Sequence, residues 1–145
     1  MILNSIYALL SSLGFAFLFN IRGKNLIFTS FGGAIGWFLY LLFINHSFSK
    51  VFALFIASIS VSVYSEIMAR VLKSPVTIFL ICGIIPLVPG AGMYYTMYEI
   101  TMGNINASLS IGLETISSAG AIAVATVLVA STTKVIVMLK KAHNA

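Results

Sequence analysis

The chain has 145 residues, of which 60% are apolar and only 8% are charged. A soluble domain usually contains about 45–50% apolar and about 25% charged residues. Eight basic and three acidic side chains cannot cover the surface of a folded soluble protein. The composition therefore excludes a soluble enzyme, a nucleic-acid-binding domain and a disordered tail, and it favours a chain that is solvated mainly by lipid.

Charged and polar segments divide the chain into five apolar stretches. They predict an all-α, polytopic membrane protein with about five transmembrane helices, built as one integral membrane domain over residues 1–145. No basic segment precedes the first stretch, so a retained span is expected rather than a cleaved signal peptide. The predicted spans are 2–20, 26–44, 51–69, a fourth from the helix-start signal at 74–75 to 98, and 107–139.

The basic residues predict how these spans are oriented. With five spans and the N-terminus outside, only Lys50 lies outside and the other basic residues lie on the cytoplasmic side, which is a strong positive-inside bias. Those on the cytoplasmic side are Arg22, Lys24, Arg70, Lys73, Lys134, Lys140 and Lys141. The expected location is the plasma membrane, with the C-terminus in the cytoplasm.

The fourth span carries the sharpest local signal in the sequence. Pro86, Pro89, Gly90 and Gly92 lie near its middle. Each proline removes a backbone donor and clashes with the preceding turn, so the helix is predicted to break between Pro86 and Gly92. Broken backbone at membrane depth is tolerated inside protein or beside a water-filled cavity, and in transporters it binds substrates and ions. The alternative is a purely structural kink.

Two other spans have unusual features. The fifth stretch is about 50 Å long as a helix, longer than the bilayer core of about 30 Å. It is expected to tilt, to protrude or to break near residues 117–120. In the second span, Gly32 and Gly36 form a G-x-x-x-G pattern that predicts close helix packing.

Glu66 is the first of three acidic residues at or near the spans, where ionisable groups are costly and usually face the bundle interior or water. Ser58, Ser62 and Ser65 share its helical face, which indicates either a lined pathway or a helix–helix contact. The alternative for the carboxylate is a local ion pair with Arg70, four residues later.

Glu99 and Glu114 are the other two candidates for proton or ion coupling. Glu99 follows Tyr94 and Tyr95, so it either rings the cavity at the break or lies exposed in an interfacial aromatic belt. Glu114 has no basic residue within one turn of the sequence. It takes part in a polar network if it lies at membrane depth, or is exposed at the start of an over-long helix.

The sequence shows no catalytic or metal-binding pattern. It lacks a nucleophile-elbow, zinc-protease or phosphate-loop motif. Its single cysteine, Cys82, lies in an apolar stretch, and neither histidine belongs to a cluster of metal-ligand spacing. The chain is therefore predicted not to be an enzyme, and it is expected to need no cofactor or metal and to bind no nucleic acid.

The segment 83–99 contains Pro86-Leu87-Val88-Pro89-Gly90 followed by Tyr94 and Tyr98. With these residues it resembles the threonine/serine exporter family. More narrowly, the chain resembles the small, stand-alone C-terminal-type subunit of that family. The resemblance implies export of threonine and serine, or of dicarboxylates such as succinate, coupled to proton-motive force. It also implies a larger membrane subunit as partner. The positions that it carries over are Pro86, Pro89, Gly90 and Tyr94.

These observations give two hypotheses. In the first, the chain is a transporter subunit whose broken span binds a small substrate. Its predicted binding residues are Pro86, Pro89, Gly90, Gly92, Tyr94 and Tyr95, and Glu66, Glu99 or Glu114 relays the proton. An odd number of spans favours a larger partner or a homo-oligomer. In the second, the chain is a scaffold that assembles a partner without transporting anything.

Overall fold

The computed structural model describes residues 1–143, and all regular structure in them is helical. Six α-helices follow one another with short connections, and a single 3₁₀ turn, Ile85–Leu87, lies between the fourth and the fifth. The helices are α1 (Ile2–Leu18), α2 (Lys24–Asn45), α3 (Lys50–Val71), α4 (Val76–Ile84), α5 (Gly90–Thr101) and α6 (Ile105–His143). The all-α prediction is confirmed.

Helix length and apolar composition identify the spans only in part. Three helices, α2, α3 and α6, are long and apolar enough to cross a membrane, and α4 with α5 would make a fourth span if the bent pair crosses as one unit. Helix α1 has 17 residues, about 25 Å, and is slightly short for a standard span. Three to four spans are thus supported, and the count of five stays a prediction.

Glycines allow α2 to pack closely against its neighbours. Gly33 lies against Ser12 of α1, and Gly36 lies against Val61 of α3. Gly32 approaches Gly83 of α4 backbone to backbone. Because small residues let helix backbones approach, α2 contacts α1, α3 and α4 together. The G-x-x-x-G prediction of close packing is confirmed.

Polar contacts show which helix ends lie together. The Asn25 side chain donates to the Ser74 hydroxyl at 2.8 Å, which joins the start of α2 to the turn between α3 and α4. Four basic residues, Arg22, Lys24, Arg70 and Lys73, are in or beside these segments. Asn45 reaches Met1 at the opposite end, near the start of α3. The four basic residues thus lie together at one end of the bundle. Lys50, the first residue of α3, lies at the opposite end.

Helices α3 and α6 run parallel and form the second half of the bundle. Leu54 and Val61 of α3 pack with Ile122 of α6 and with Leu87 in one apolar cluster. Helix α6 is continuous over 39 residues, about 58 Å, so of the three alternatives for this stretch the break near 117–120 does not occur.

The excess length of α6 extends past the end of α3. Glu114 of α6 lies beside Lys50, the first residue of α3. Residues 105–113 of α6 therefore continue about 14 Å beyond that point. Helix α5 packs antiparallel to this extension, since Gly92 lies against Thr115 and the Ser108 hydroxyl donates to the carbonyl of Thr96. The over-long helix thus extends past the end of α3 together with α5, and its tilt or protrusion relative to the bilayer stays a prediction.

Candidate functional site

The helix is interrupted at the prolines and glycines of residues 86–92, as the sequence predicted. Helix α4 ends at Ile84, Val88 is extended, and α5 begins at Gly90. The axes of the two helical segments differ by 46°. Whether the bent pair forms one broken span stays a prediction.

The break leaves backbone donors free at the start of α5. The amide of Gly90 bonds to the carbonyl of Val88, and the amide of Met93 bonds to that of Pro89. The amides of Ala91 and Gly92, which lie between these two, belong to the first turn of α5. Amides of a first turn have no carbonyl of their own helix to bond to. Within the described residues these two amides make no backbone hydrogen bond. Such amides, at the positive end of a helix dipole, favour an anionic partner.

These amides border a cleft of about 160 Å³. One wall is the continuous segment 86–92, which contains the predicted site residues Pro86, Pro89, Gly90 and Gly92. The other wall consists of Trp37 and Tyr40 of α2 and of Lys50 and Leu54 of α3. The break, the end of α2 and the start of α3 therefore form one concave site.

Trp37, in the wall of the cleft, carries a polar group without a partner in the described part of the chain. The indole N–H of Trp37 is buried and has no hydrogen-bond partner within the described residues. Its ring packs against the Tyr40 ring, with centroids 5.2 Å apart. A buried donor without a partner is uncommon in folded proteins.

Lys50 connects the cleft to α6. Its ammonium Nζ lies 2.8 Å from Oε1 of Glu114, and both side chains are about half exposed (44% and 52%). No basic residue lies within one turn of Glu114 in the sequence. The parallel packing of α3 and α6 brings Lys50 to it. Of the three predicted coupling residues, Glu114 is the one that the fold brings to the cleft, through Lys50.

A second hollow adjoins the first. It has a volume of about 280 Å³ and is lined by Trp37 and Pro86 together with polar and small residues of α1. Those residues of α1 are Asn4, Tyr7, Ala8 and Ser11. Because Trp37 and Pro86 border both hollows, these two side chains form the wall between them.

Glu66 lies far from the cleft. It is 16 positions after Lys50 on the same helix, which corresponds to about 24 Å. Its Oε2 accepts a hydrogen bond from Arg70 Nη2 at 3.2 Å, so the local ion pair is formed. The serines of this helix face, Ser58, Ser62 and Ser65, are buried, which fits the helix–helix contact better than an open pathway.

The remaining predicted residues lie on the protruding pair of helices. Glu99 accepts a hydrogen bond from the Asn104 side chain at 2.8 Å and so closes the turn between α5 and α6. Tyr94 and Tyr95 are exposed and contact each other edge to face. They do not line the cleft at the break, so a substrate-binding role for them stays a prediction.

The residues that sequence reasoning missed are Lys50, Trp37 and Tyr40. In the sequence, Lys50 was noted only as the one basic residue on the predicted outer side. Its separation from the other basic residues was the only signal that could have pointed to it. Trp37 is the single tryptophan of the chain and directly follows the G-x-x-x-G pattern. No local spacing connects either residue to the break, because helix packing alone brings them to it.

Helix lengths and apolar surface fit an integral membrane protein, and a helix break lies beside a cleft in it. The family model described as Threonine/Serine exporter, ThrE matches residues 4–132. The chain therefore belongs to the threonine/serine exporter family and is a membrane transport protein of that type rather than an enzyme. No curated protein and no solved structure matches it.

Proposed function

We propose that the chain is one subunit of a secondary exporter in the plasma membrane. It exports small hydrophilic metabolites, either threonine and serine or a dicarboxylate such as succinate. A larger membrane subunit of the same family completes the transport path, and proton-motive force drives export. The observation that carries this proposal is the cleft at the helix break, where free backbone amides and a lysine converge.

The chemistry of the cleft fits these substrates. Threonine, serine and succinate all carry a carboxylate, and the free amides of Ala91 and Gly92 favour one. The cleft, at about 160 Å³, is smaller than the pockets of about 300–1,000 Å³ that hold drug-sized ligands. Such dimensions suit a metabolite of few atoms. The prolines keep the break open by denying the backbone a continuous helix.

A carboxylate near the cleft would carry the coupling proton. Glu114 is the candidate that the geometry favours, because it lies beside Lys50 at the cleft. Glu66 and Glu99 would contribute only if another conformation or the partner subunit brought them to the transport path. The N-terminus lies outside and the basic end of the bundle faces the cytoplasm, in agreement with the positive-inside rule.

The test is export of labelled serine, threonine and succinate from cells that express this chain with the larger family subunit. Pro89→Ala and Glu114→Gln are expected to lower export at equal membrane levels, and Glu66→Gln shows whether the distant carboxylate contributes. Lys134→Met, an exposed residue of α6 far from the cleft, is the matched control. Site variants that express and export like the parent would contradict the site assignment.

A second experiment separates transport from a scaffold role. In a Cys82→Ala background, single cysteines from Ile85 to Tyr95 are exposed to a polar thiol reagent. A water-filled cleft predicts labelling at 88–92 and protection of these positions by substrate. A dry, unlabelled segment would support the scaffold alternative.

A further inference from the structure

We infer that the Lys50–Glu114 ion pair is the specificity element of the cleft, and that a zwitterionic amino acid binds by inserting between the two charges. The substrate carboxylate takes the ammonium of Lys50, and the substrate ammonium takes the carboxylate of Glu114. This inference rests on the proposed function and deepens it, because it distinguishes amino acids from dicarboxylates.

The first step of the argument is the position of the pair. Lys50 lines the cleft together with the segment 86–92, and its Nζ lies 2.8 Å from the Glu114 carboxylate. The two residues come from different helices, α3 and α6. Lys50 lines the cleft, and Glu114 adjoins it through the ion pair. Both side chains remain about half exposed, so the pair is open to an entering solute.

The second step is the set of donors around Lys50. Ala91 and Gly92, whose amides are free, line the same cleft, as does Trp37, whose buried indole N–H has no partner within the described residues. An ammonium offers three donors, and one carboxylate oxygen of Glu114 occupies one of them. The remaining donors of Lys50 and the amides of Ala91 and Gly92 suit an incoming carboxylate.

The third step is what becomes of Glu114 when a carboxylate takes Lys50. When a substrate carboxylate takes Lys50, Glu114 loses its partner, at a modest cost because both side chains are about half exposed. An α-amino acid compensates Glu114 with its own ammonium, because both charged groups are attached to one carbon atom. A dicarboxylate instead brings a second negative charge towards Glu114, and like charges repel. The pair therefore admits a zwitterion and disfavours a dianion.

Serine and succinate distinguish this selection from a purely structural ion pair. Export is measured for both with the larger subunit present, at equal membrane levels of each variant. The parent is expected to export serine at least tenfold better than succinate. Glu114→Gln is expected to lower export of both, because Glu114 carries the coupling proton, and to lower serine export at least tenfold more than succinate export. Lys50→Met is expected to abolish export of both, and Lys50→Arg to retain part of it.

Binding to the purified complex provides an assay that does not depend on turnover. Labelled serine is expected to bind to the parent and to be displaced by threonine but weakly by succinate, and Glu114→Gln is expected to remove this preference. Equal losses for serine and succinate in Glu114→Gln, or parental behaviour of Lys50→Met, would overturn the inference and leave the exporter proposal intact. A parent complex that moves none of the three substrates would instead overturn the proposed function, and this inference with it.

Discussion

The hydroxyl of Ser12 on α1 donates a hydrogen bond of 2.8 Å to the carbonyl oxygen of Cys82 on α4. That carbonyl is the one that residue 86 would satisfy in a continuous helix, and Pro86 has no N–H to offer. The carbonyl of Ile85, which Pro89 likewise leaves without its helical donor, accepts from the amide of Val88. Both acceptors that the prolines orphan are thus satisfied, so the break is a stable feature of the fold.

Ser12→Ala is expected to lower the free energy of unfolding by about 1–2 kcal/mol, because it leaves the buried Cys82 carbonyl without a donor. Unfolding of the detergent-solubilised protein measures the loss. Ser5→Ala is the control, since its exposed hydroxyl bonds only to the carbonyl of Met1 in its own helix.

The same hydrogen bond makes a sharper prediction in a double-mutant cycle. In a Pro86→Ala background, residue 86 regains an amide that can reach the Cys82 carbonyl. The cost of Ser12→Ala is then expected to fall to nearly zero. If the cost were the same in both backgrounds, the hydroxyl would not be compensating for the proline.

The sequence predicted the features that depend on local covalent chemistry. Pro86 and Pro89 break any helix that contains them, so the break was predictable to within a few residues. The pairs Ser12–Cys82 and Lys50–Glu114 were not, because their members are 70 and 64 positions apart and only the packing of whole helices joins them. The local alternative for Glu66 was predictable because its partner lies on the next turn.

Gly33→Ala is expected to destabilise the fold by about 1–3 kcal/mol through overpacking. A methyl group on Gly33 would overlap Ser12 and would press α1 away from α2. Gly14→Ala on α1 is the matched control, because a methyl group there meets nothing within 4 Å. We expect this control to be neutral or slightly stabilising, since alanine favours the helix. Equal stability of the two variants would show that α1 and α2 are less closely packed than described.

The orientation can be checked with single cysteines in a Cys82→Ala background. An impermeant thiol reagent is expected to label His46→Cys and Asn106→Cys in intact cells, because both exposed positions lie at the predicted outer end. Val71→Cys, exposed at the basic end, is expected to react only after permeabilisation. Labelling of His46→Cys without Asn106→Cys would mean that α4 and α5 do not cross as one span. An N-terminal tag accessible from outside would add α1 as the fifth.

Gly92 combines a place in the cleft with a packing role that can be tested separately. A methyl group at this position would overlap the Thr115 side chain and would separate α5 from α6 just beyond the break. Gly92→Ala is therefore expected to lower the melting temperature and, because Thr115 directly follows Glu114, to disturb the Lys50–Glu114 pair. Adding Thr115→Ala removes the overlapping atoms and is expected to restore the stability. Gly120→Ala, where a methyl group meets nothing within 4 Å, is expected to leave the melting temperature unchanged or raised.

If the double variant regains stability but not export, Gly92 contributes to substrate binding through its close backbone approach. If it regains both, the small side chain serves helix packing alone.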